Sequence, residues 1–450
     1  MISFLVLQLV VMSLVVFAVH FMKYWCLMII PTVMSQEMNV KEQDLTTYIL
    51  FSYLAYFYGM MLGCFLWNKL QNFLPPTIVL LLSLLMMGST LFMQSVYGNV
   101  NAYIFFRFLN GIASNINNFG KSFVHEYIGR EHRKSAFFCE AGSSIMGSLT
   151  APLAGLLLYQ RTKSFLIVCF VIAVMVFVIA FFNFITFSEK IKKNRKKSLI
   201  GSSDSDNPNS FKRRVSTAPP GLKAMFSYCL ISNIVARYLI IIFIINSACF
   251  SADIVISTLF LTTKSSDDDI QLSKASLSSL NAFSAIASIF MLVYIKNNIP
   301  MKMKYDNFLK TILCLSVFLV LMTPFLKEFL KMKIFGRFSQ EIILIIYGCK
   351  FFFGYHLYSN LLTYFINLSI HKIYRRQLNL ILNVVKTLCS GLLFNFLMIV
   401  FKETYNWDVL VEHAPLNACF SFWIIAGLQL CALVLFQIFY FPPPRKSMLM

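Results

Sequence analysis

Ionisable residues stand inside several of the longest apolar runs of this sequence. The most deeply placed are Lys23, Glu140 and Lys386, each with apolar residues on both sides. A charge within a lipid-spanning helix costs about 2.5–3.5 kcal/mol on insertion scales, so such residues usually face a cavity and have a task. A buried carboxyl group suits the binding and release of a proton, because burial favours its neutral form and a nearby cation its charged form. The candidates for a solute and proton pathway are His20, Lys23, Arg107, Gly111, Ser114, Asn118, Glu140, Asp253, Lys350, His356 and Lys386.

Some of these residues have a structural alternative. Glu140 could equally be a fixed partner of Arg107 or Lys23 within the bundle. Arg237 and Lys121 lie close enough to the end of an apolar run to extend towards the membrane surface, which is how we interpret them.

The stretch FRFLNGIASNINNFGKSF, residues 106–123, is unusually polar for its surroundings. Arginine, asparagine, glycine and serine recur there at the spacing of one helix face, at positions 107, 110, 111, 114, 117 and 118. Lipid offers such a stripe no hydrogen-bond partners, so it must face the interior of a helical bundle. Gly111 lets a second helix or a ligand approach closely.

Small residues dominate the stretch CEAGSSIMGSLTAPLAGLLL, residues 139–158. Gly147, Ala151 and Gly155 repeat at every fourth position, and Pro152 adds a bend. This spacing is typical of a tight seam between two membrane helices.

Membrane helices must position all of these motifs. Apolar residues make up 58% of the 450-residue chain, which excludes an ordinary soluble protein. Runs of about 20 apolar residues without strand alternation indicate spanning helices. We therefore predict an all-α polytopic membrane protein with twelve transmembrane helices in two six-helix bundles. The spans are expected at about 5–33, 46–66, 76–97, 101–124, 135–158, 164–187, 236–262, 274–296, 307–326, 341–366, 378–401 and 416–440.

A basic, serine-rich segment at 188–222 divides the chain and is predicted to be a disordered cytosolic linker. It separates an N-terminal bundle at 1–187 from a C-terminal bundle at 223–441, which begins with an interfacial helix at 223–235 and is followed by a tail at 442–450. Ser216 follows two arginines in KRRVSTAPP, a pattern that basic-directed kinases modify. A solvated linker without regulation is the simpler interpretation of the same residues.

The net charge of +20 comes mainly from lysines and arginines in short loops, so it indicates membrane orientation and not a nucleic-acid partner. The distribution places both termini in the cytosol, and the first apolar run is interpreted as a retained span.

No pattern of the eleven cysteines indicates disulfides or a metal site, and no cofactor is expected. Because no nucleophile–base pair, zinc-protease motif or phosphate loop occurs, we do not expect an enzyme.

The two polar spans resemble the major facilitator superfamily. The family's Arg-x-x-x-Gly motif of the fourth helix is matched by Arg107 and Gly111, and its antiporter motif of the fifth helix by Gly147 to Gly155, with Ala151 in place of a glycine. RFLNG…HEYIGREHR, LSKASLSSLNAFSAIA at 272–287 and RRQLN at 375–379 are most similar to zinc-induced-facilitator-like and tetracycline-resistance-type drug:proton antiporters. The resemblance spans most of residues 12–440.

One motif of that family is altered. Its loop between the second and third helices carries charged residues that gate the cytosolic side, whereas this chain reads GCFLWNKLQN. Gly63 is retained, but Trp67 and Asn68 occupy the positions of the family's aspartate and arginine.

The resemblance implies a monomeric secondary transporter that carries a small organic solute, is coupled to protons and works by alternating access within the lipid bilayer. Arg107 would then adjust the proton affinity of Glu140. The lysines tilt the expected cavity towards an anionic or zwitterionic solute. The alternative is a non-transporting receptor or scaffold that keeps the fold and has lost the gating loop.

Overall fold

The structure is a computed structural model. It describes residues 2–71, 73–114, 133–200, 227–262, 272–298, 305–326, 339–357, 375–405 and 419–439, together with residues 362, 366, 369 and 370. The described elements are all helical. In chain order the helices are α1 (Ile2–Tyr24), α2 (Ile30–Gln36), α3 (Glu42–Gln71), α4 (Pro76–Gln94), α5 (Val100–Ser114), α6 (Arg133–Thr162), α7 (Phe165–Ile200), α8 (Ile234–Thr262), α9 (Lys274–Asn298), α10 (Tyr305–Met322), α11 (Ser339–Phe351), α12 (Arg375–Tyr405) and α13 (Cys419–Phe439). Two π-helical segments, Ser227–Ser232 and Phe352–Leu357, precede α8 and extend α11.

Each half of the chain packs its helices in the same pattern. In the first half α1 packs on α6, α3 on α5 and α4 on α7. In the second half α8 packs on α12, α9 on α11 and its π-helical extension, and α10 on α13. When α1 and α2 are counted as one span, each half has six spans. In both halves the first span packs on the fifth, the second on the fourth and the third on the sixth. The prediction of an all-α fold with two related bundles is confirmed.

The two bundles meet along two helix pairs, α3 with α12 and α6 with α9. Aromatic side chains pack between the halves, with Tyr53 and Phe57 of α3 against Phe394 of α12 at 5.5 Å and 6.0 Å between ring centroids. Gly391 permits this approach, because a methyl group there would already touch Phe57. The interface between the bundles is therefore bordered by α3, α6, α9 and α12.

Every predicted span contains a described helix, and eight of those helices are long and apolar enough to cross a membrane. Two boundaries differ from the sequence expectation. The first span is interrupted by a turn between α1 and α2, and α7 continues to Ile200, into the segment assigned to the linker. Lysine- and glutamate-containing sequence has high helix propensity and propagates a helix once it has formed, which accounts for the extension.

Candidate functional site

Arg107 of α5 binds the end of α1. Its guanidinium donates from Nη1 to the carbonyl of Met22 at 3.0 Å and from Nη2 to the carbonyl of Lys23 at 3.3 Å. The side chain is 1% exposed, and its guanidinium lies 4.5 Å from the centroid of the Tyr56 ring. Arg107 therefore caps the helix end that the turn after Tyr24 creates.

The choice of carbonyls follows from helix geometry. The last four carbonyls of a helix have no intrahelical donor. In α1 the carbonyls of Phe21 and Tyr24 accept from backbone N–H groups of the following turn. Those of Met22 and Lys23 accept from Arg107 instead. A cation at this end is also favoured by the helix dipole.

Glycines make two close helix seams in the N-terminal half. A methyl group on Gly111 of α5 would collide with the Tyr56 carbonyl of α3. On the other seam, Gly147 of α6 lies directly against the α1 backbone at Phe17, and Gly155 lies against the backbone of Trp25, in the turn that follows α1. Ala151 and Pro152 are buried in the same helix. The small residues thus place α5 and α6 against α3 and α1.

Trp67, at the altered motif, joins α3 to α5. Its indole N–H donates to the carbonyl of Ile112 at 2.6 Å, and the side chain is 4% exposed. Gly63, one turn earlier, packs against the same residue of α5. The tryptophan that replaces the family's aspartate is therefore a buried link within the N-terminal bundle, and Asn68 follows it in α3.

His20 and Glu140 lie where α1 and α6 pack together. The His20 ring nitrogens lie 3.0 Å from the hydroxyl of Ser144 and 3.2 Å from that of Ser148. Glu140 is 9% exposed and lies one helical turn before Ser144. Among the residues that the structure describes, no ion pair joins Glu140 with Arg107 or Lys23.

Asp253 of α8 and Lys350 of α11 form a buried ion pair. The ammonium of Lys350 lies 2.9 Å from the carboxylate, and the two side chains are 1% and 0% exposed. Lys350 also donates to Ser257 at 2.7 Å and to Thr323 at 3.3 Å, and Ser257 donates to Asp253 at 2.6 Å. The pair is thus hydrogen-bonded as well as charge-matched, which is what a buried pair requires.

Lys23 of α1 and Lys386 of α12 belong to the two sides of the interface. The Lys23 ammonium lies 4.9 Å from the Tyr24 ring and 4.8 Å from the Phe57 ring, and that of Lys386 lies 5.5 Å from the Phe243 ring. Both lysines are half-buried.

Two hydrogen bonds tie the bundles together at the end where α2 lies. Lys274 of α9 donates to the hydroxyl of Thr32 at 3.1 Å, and Lys402 of α12 donates to that of Thr47 at 3.0 Å. We call these two contacts the lysine latches. Nothing in the sequence distinguishes these two lysines, because a lysine at the end of a span normally reaches the membrane surface.

The remaining candidates are placed in part. Ser114 is buried on α5 and donates to the Gly111 carbonyl at 3.2 Å, and His356 belongs to the π-helical segment after α11. Asn118 and Ser216 lie outside the described residues. The sequence identified Asp253 and Lys350 separately, but their pairing joins residues 97 positions apart and had no signal in the sequence.

The paired packing of long apolar helices defines a polytopic membrane protein, and its similarity to known proteins places it among the membrane transporters. The chain belongs to the Major Facilitator Superfamily, whose family model matches residues 12–393. A comparison with curated protein sequences finds no significant match.

Two solved structures resemble the chain over nearly its whole length. The human organic anion transporter MFSD10 (TETRAN) has a TM-score of 0.62 and 14% sequence identity, covering 96% of this chain and 98% of the other. The POT family transporter PepTSo has a TM-score of 0.67 and 11% identity, covering 98% of each chain. At these identities the likeness establishes the fold.

Proposed function

We propose that the protein is a secondary active transporter, which moves a small organic solute by alternating access and couples this movement to protons. The observation that carries the proposal is the Asp253/Lys350 pair. Two opposite charges enclosed between membrane helices are costly and are weak contributors to stability. A role in the transport cycle explains their presence better than a role in folding.

The coupling step follows from the chemistry of the pair. A proton on the Asp253 carboxylate neutralises it and removes its attraction for Lys350. The ammonium is then left in a low-dielectric interior with hydroxyls and aromatic rings as its partners and no negative charge, which favours any conformation that hydrates it. Protonation and a rearrangement of α8 against α11 are thereby linked. Glu140, buried beside the α1–α6 seam, is the corresponding acid of the N-terminal bundle.

The packing supports rocking of one bundle against the other. The contacts between halves run along α3–α12 and α6–α9, and buried polar residues lie on these helices as well as on α1, α5, α8 and α11. The solute path that we propose contains Arg107, Gly111, Ser114 and Asn118, together with the ionisable residues at 20, 23, 140, 253, 350, 356 and 386. Arg107 contributes through the shape of α1, whose end it caps.

Within the superfamily we place the protein beside zinc-induced-facilitator-like and tetracycline-resistance-type antiporters, on the stretches RFLNG…HEYIGREHR, 272–287 and 375–379. We also propose cytosolic termini, a monomer and a linker that phosphorylation of Ser216 would release from anionic lipid. Protease protection of tags at either terminus in sealed cells tests the orientation. Phosphopeptide mapping tests Ser216.

A non-transporting receptor or scaffold is the second candidate. Trp67 favours it, because this residue makes a fixed hydrogen bond within one bundle where the family has a charge that can change partners. In that case a ligand would bind without being translocated.

Flux measurements in proteoliposomes separate the two candidates. Purified protein is reconstituted, a proton gradient is imposed, and uptake is followed for a panel of labelled organic anions, zwitterions and cations. We expect gradient-driven uptake that Asp253→Asn and Glu140→Gln uncouple, while Glu403→Gln, an exposed acid on α12, leaves it unchanged. Binding without uptake under any gradient would establish the receptor.

A further inference from the structure

Aromatic rings of the two bundles pack on one another across the interface. Tyr53 and Phe57 of α3 lie 5.5 Å and 6.0 Å from Phe394 of α12, measured between ring centroids. Tyr24, the last residue of α1, lies 6.3 Å from Phe250 of α8. In each of these contacts a ring of the first bundle meets a ring of the second. We call the five residues the aromatic interface.

The α12 helix joins the α8 side of the aromatic interface to the α3 side. Ser390 of α12 donates to the backbone carbonyl of Ser247 of α8 at 3.3 Å. At the next residue of α12, Gly391, an added methyl group would lie 3.3 Å from the Cβ of Phe57. A single turn of α12 therefore contacts both α8 and α3.

The α1 helix closes the circuit on the opposite side. The ammonium of Lys23 lies 4.8 Å from the Phe57 ring of α3 and 4.9 Å from the Tyr24 ring of its own helix. Tyr24 in turn packs on Phe250 of α8. Measured contacts thus link α8, α12, α3 and α1 around one point between the bundles.

Unpaired polar groups lie at the same point. Asn246 is one turn before Phe250 on α8, so the two side chains share a face. Both polar atoms of its amide are buried and have no hydrogen-bond partner among the residues that the structure describes, and the same is true of the Tyr24 and Tyr53 hydroxyls. Buried polar groups are nearly always paired. Three unpaired groups on helices that meet at one point indicate a ligand that pairs with them.

The rings indicate what the body of that ligand is. When the bundles rock apart in the proposed transport cycle, the ring contacts of Tyr24, Tyr53 and Phe57 with the second bundle are lost. An aromatic solute between the bundles can replace these contacts, because a ring packs favourably on another ring in stacked or edge-on geometry.

The polar groups indicate what the ligand carries. The asparagine amide and the tyrosine hydroxyls can all donate a hydrogen bond. An oxygen atom on the solute can accept from them. Sites for small molecules commonly combine apolar walls with a few polar groups of this kind.

We propose that the aromatic interface, together with Asn246, is the binding site for an aromatic solute that carries an oxygen acceptor. The solute ring packs on the rings that the separated bundles expose, and its oxygen accepts from the Asn246 amide and from the hydroxyls of Tyr24 and Tyr53. This inference rests on the proposed transport function and specifies its substrate class.

The test uses pairs of probes that differ only in whether the ring is aromatic or saturated. Thermal stabilisation of the purified full-length protein is titrated with benzoate and cyclohexanecarboxylate, benzamide and cyclohexanecarboxamide, and 3-phenylpropionate and 3-cyclohexylpropionate. A ligand that binds the folded state raises the melting temperature. We expect the aromatic member of a pair to bind about two- to tenfold more tightly for each ring contact that it makes.

The order within each pair is decisive. A saturated ring has the larger apolar surface, so binding by apolar burial alone predicts that the cyclohexyl member binds more tightly. Equal or tighter binding of the saturated member in every pair would overturn the proposal. So would the absence of stabilisation by any aromatic probe at millimolar concentration.

Variants assign the selectivity to the site. Phe394→Leu should reduce the preference for the aromatic member and leave binding of the saturated member nearly unchanged. Asn246→Leu and Tyr53→Phe should each weaken both members about threefold or more, because each removes a hydrogen bond to the solute oxygen. A Phe394→Leu protein that does not fold is replaced by Phe394→Met, which also lacks the ring.

Each variant has a matched control outside the aromatic interface. Phe396→Leu changes an exposed ring of the same helix, Asn281→Leu changes a buried asparagine of α9, and Tyr103→Phe changes a buried tyrosine that donates to Cys26 within the first bundle. All three controls should bind the probes like the parent protein. Equal selectivity and affinity in the variants and their controls would place the site elsewhere.

The outcome is separable from that of the transport proposal. Selective binding of aromatic probes without gradient-driven flux would retain the site and remove the transporter. Gradient-driven flux of non-aromatic solutes, with no preference for an aromatic ring, would retain the transporter and remove the site.

Discussion

The guanidinium of Arg107 lies 3.0 Å from the carbonyl oxygen of Met22, in the last turn of α1. This contact explains an arginine within a membrane span without an acidic partner. The first span ends and restarts between α1 and α2, and the carbonyls exposed by that interruption receive the donors of Arg107. The arginine of the fourth span therefore sets the shape of the first.

Replacing Arg107 should destabilise the turn after α1. Arg107→Lys keeps the charge but loses the planar pair of donors, so one of the two carbonyls loses its partner. A buried unsatisfied carbonyl costs about 1–3 kcal/mol, and Arg107→Met leaves both unpaired. We expect melting temperatures in the order parent, lysine, methionine. Equal melting temperatures for the lysine and methionine variants would show that the two carbonyls do not depend on Arg107.

The Asp253/Lys350 pair should behave as a coupled unit. Either Asp253→Asn or Lys350→Met leaves one charge buried without its partner, which typically costs about 3–5 kcal/mol. The double variant removes both charges and should recover most of that loss. Thermal melts of the four proteins in a double-mutant cycle measure the coupling. Additive losses in the double variant would contradict a direct pairing.

Sequence patterns predicted the helices well because each span must satisfy its own backbone hydrogen bonds, and this makes the signal local. Arg107 and Gly111 of the fourth span were identified for the same reason. Both lie on one helix, so the spacing that puts them on one face can be seen in the sequence. The pairing of Asp253 with Lys350 depends on how α8 meets α11, which no periodicity encodes. The role of Trp67 was equally hidden. Its replacement of an acid was visible in the sequence, but its bond to Ile112 arises only when α3 and α5 are packed.

The glycine seams should tolerate no side chain. At Gly155 an added methyl group would collide with the Trp25 backbone carbonyl, and backbone cannot move aside as a flexible side chain can. We expect Gly155→Ala to cost about 1–3 kcal/mol, in the range of other overpacking changes. Gly427 of α13 is the control, because a methyl group there meets nothing within 4 Å. Gly427→Ala should be neutral or stabilising, since alanine favours helix. Equal melting temperatures for the two variants would contradict the seam.

Trp67→Phe tests the hydrogen bond at the altered motif while keeping an aromatic ring. The variant leaves the buried Ile112 carbonyl without the indole donor, which should lower stability by about 1–3 kcal/mol. Trp423→Phe is the matched change at a tryptophan that is 45% exposed, and it should have little effect. Thermal melts compare the two. A Trp67→Phe protein as stable as the parent would mean that the bond contributes nothing to the packing of α3 on α5.

The lysine latches should hold the two bundles together at the end where α2 lies. Lys402 and Lys274 each donate to a threonine hydroxyl of the opposite half, and bonds to charged groups are stronger than neutral ones. Both lysines are half-buried, so solvent screening reduces the contribution of each hydrogen bond to about 1 kcal/mol. Losing one bond should therefore raise the population of molecules whose bundles are separated at this end roughly fivefold. Lys402→Met should therefore speed hydrogen–deuterium exchange in Ile30–Gln36 and at the start of α9, and Lys274→Met should act likewise. The double variant should add the two effects, because an opening must break both bonds. Lys163→Met, at an exposed lysine near the same end, is the control and should leave exchange unchanged. If exchange at this end is the same in the latch variants and the control, the lysine hydrogen bonds do not hold the bundles together. The aromatic contacts of α3 with α12 then do so.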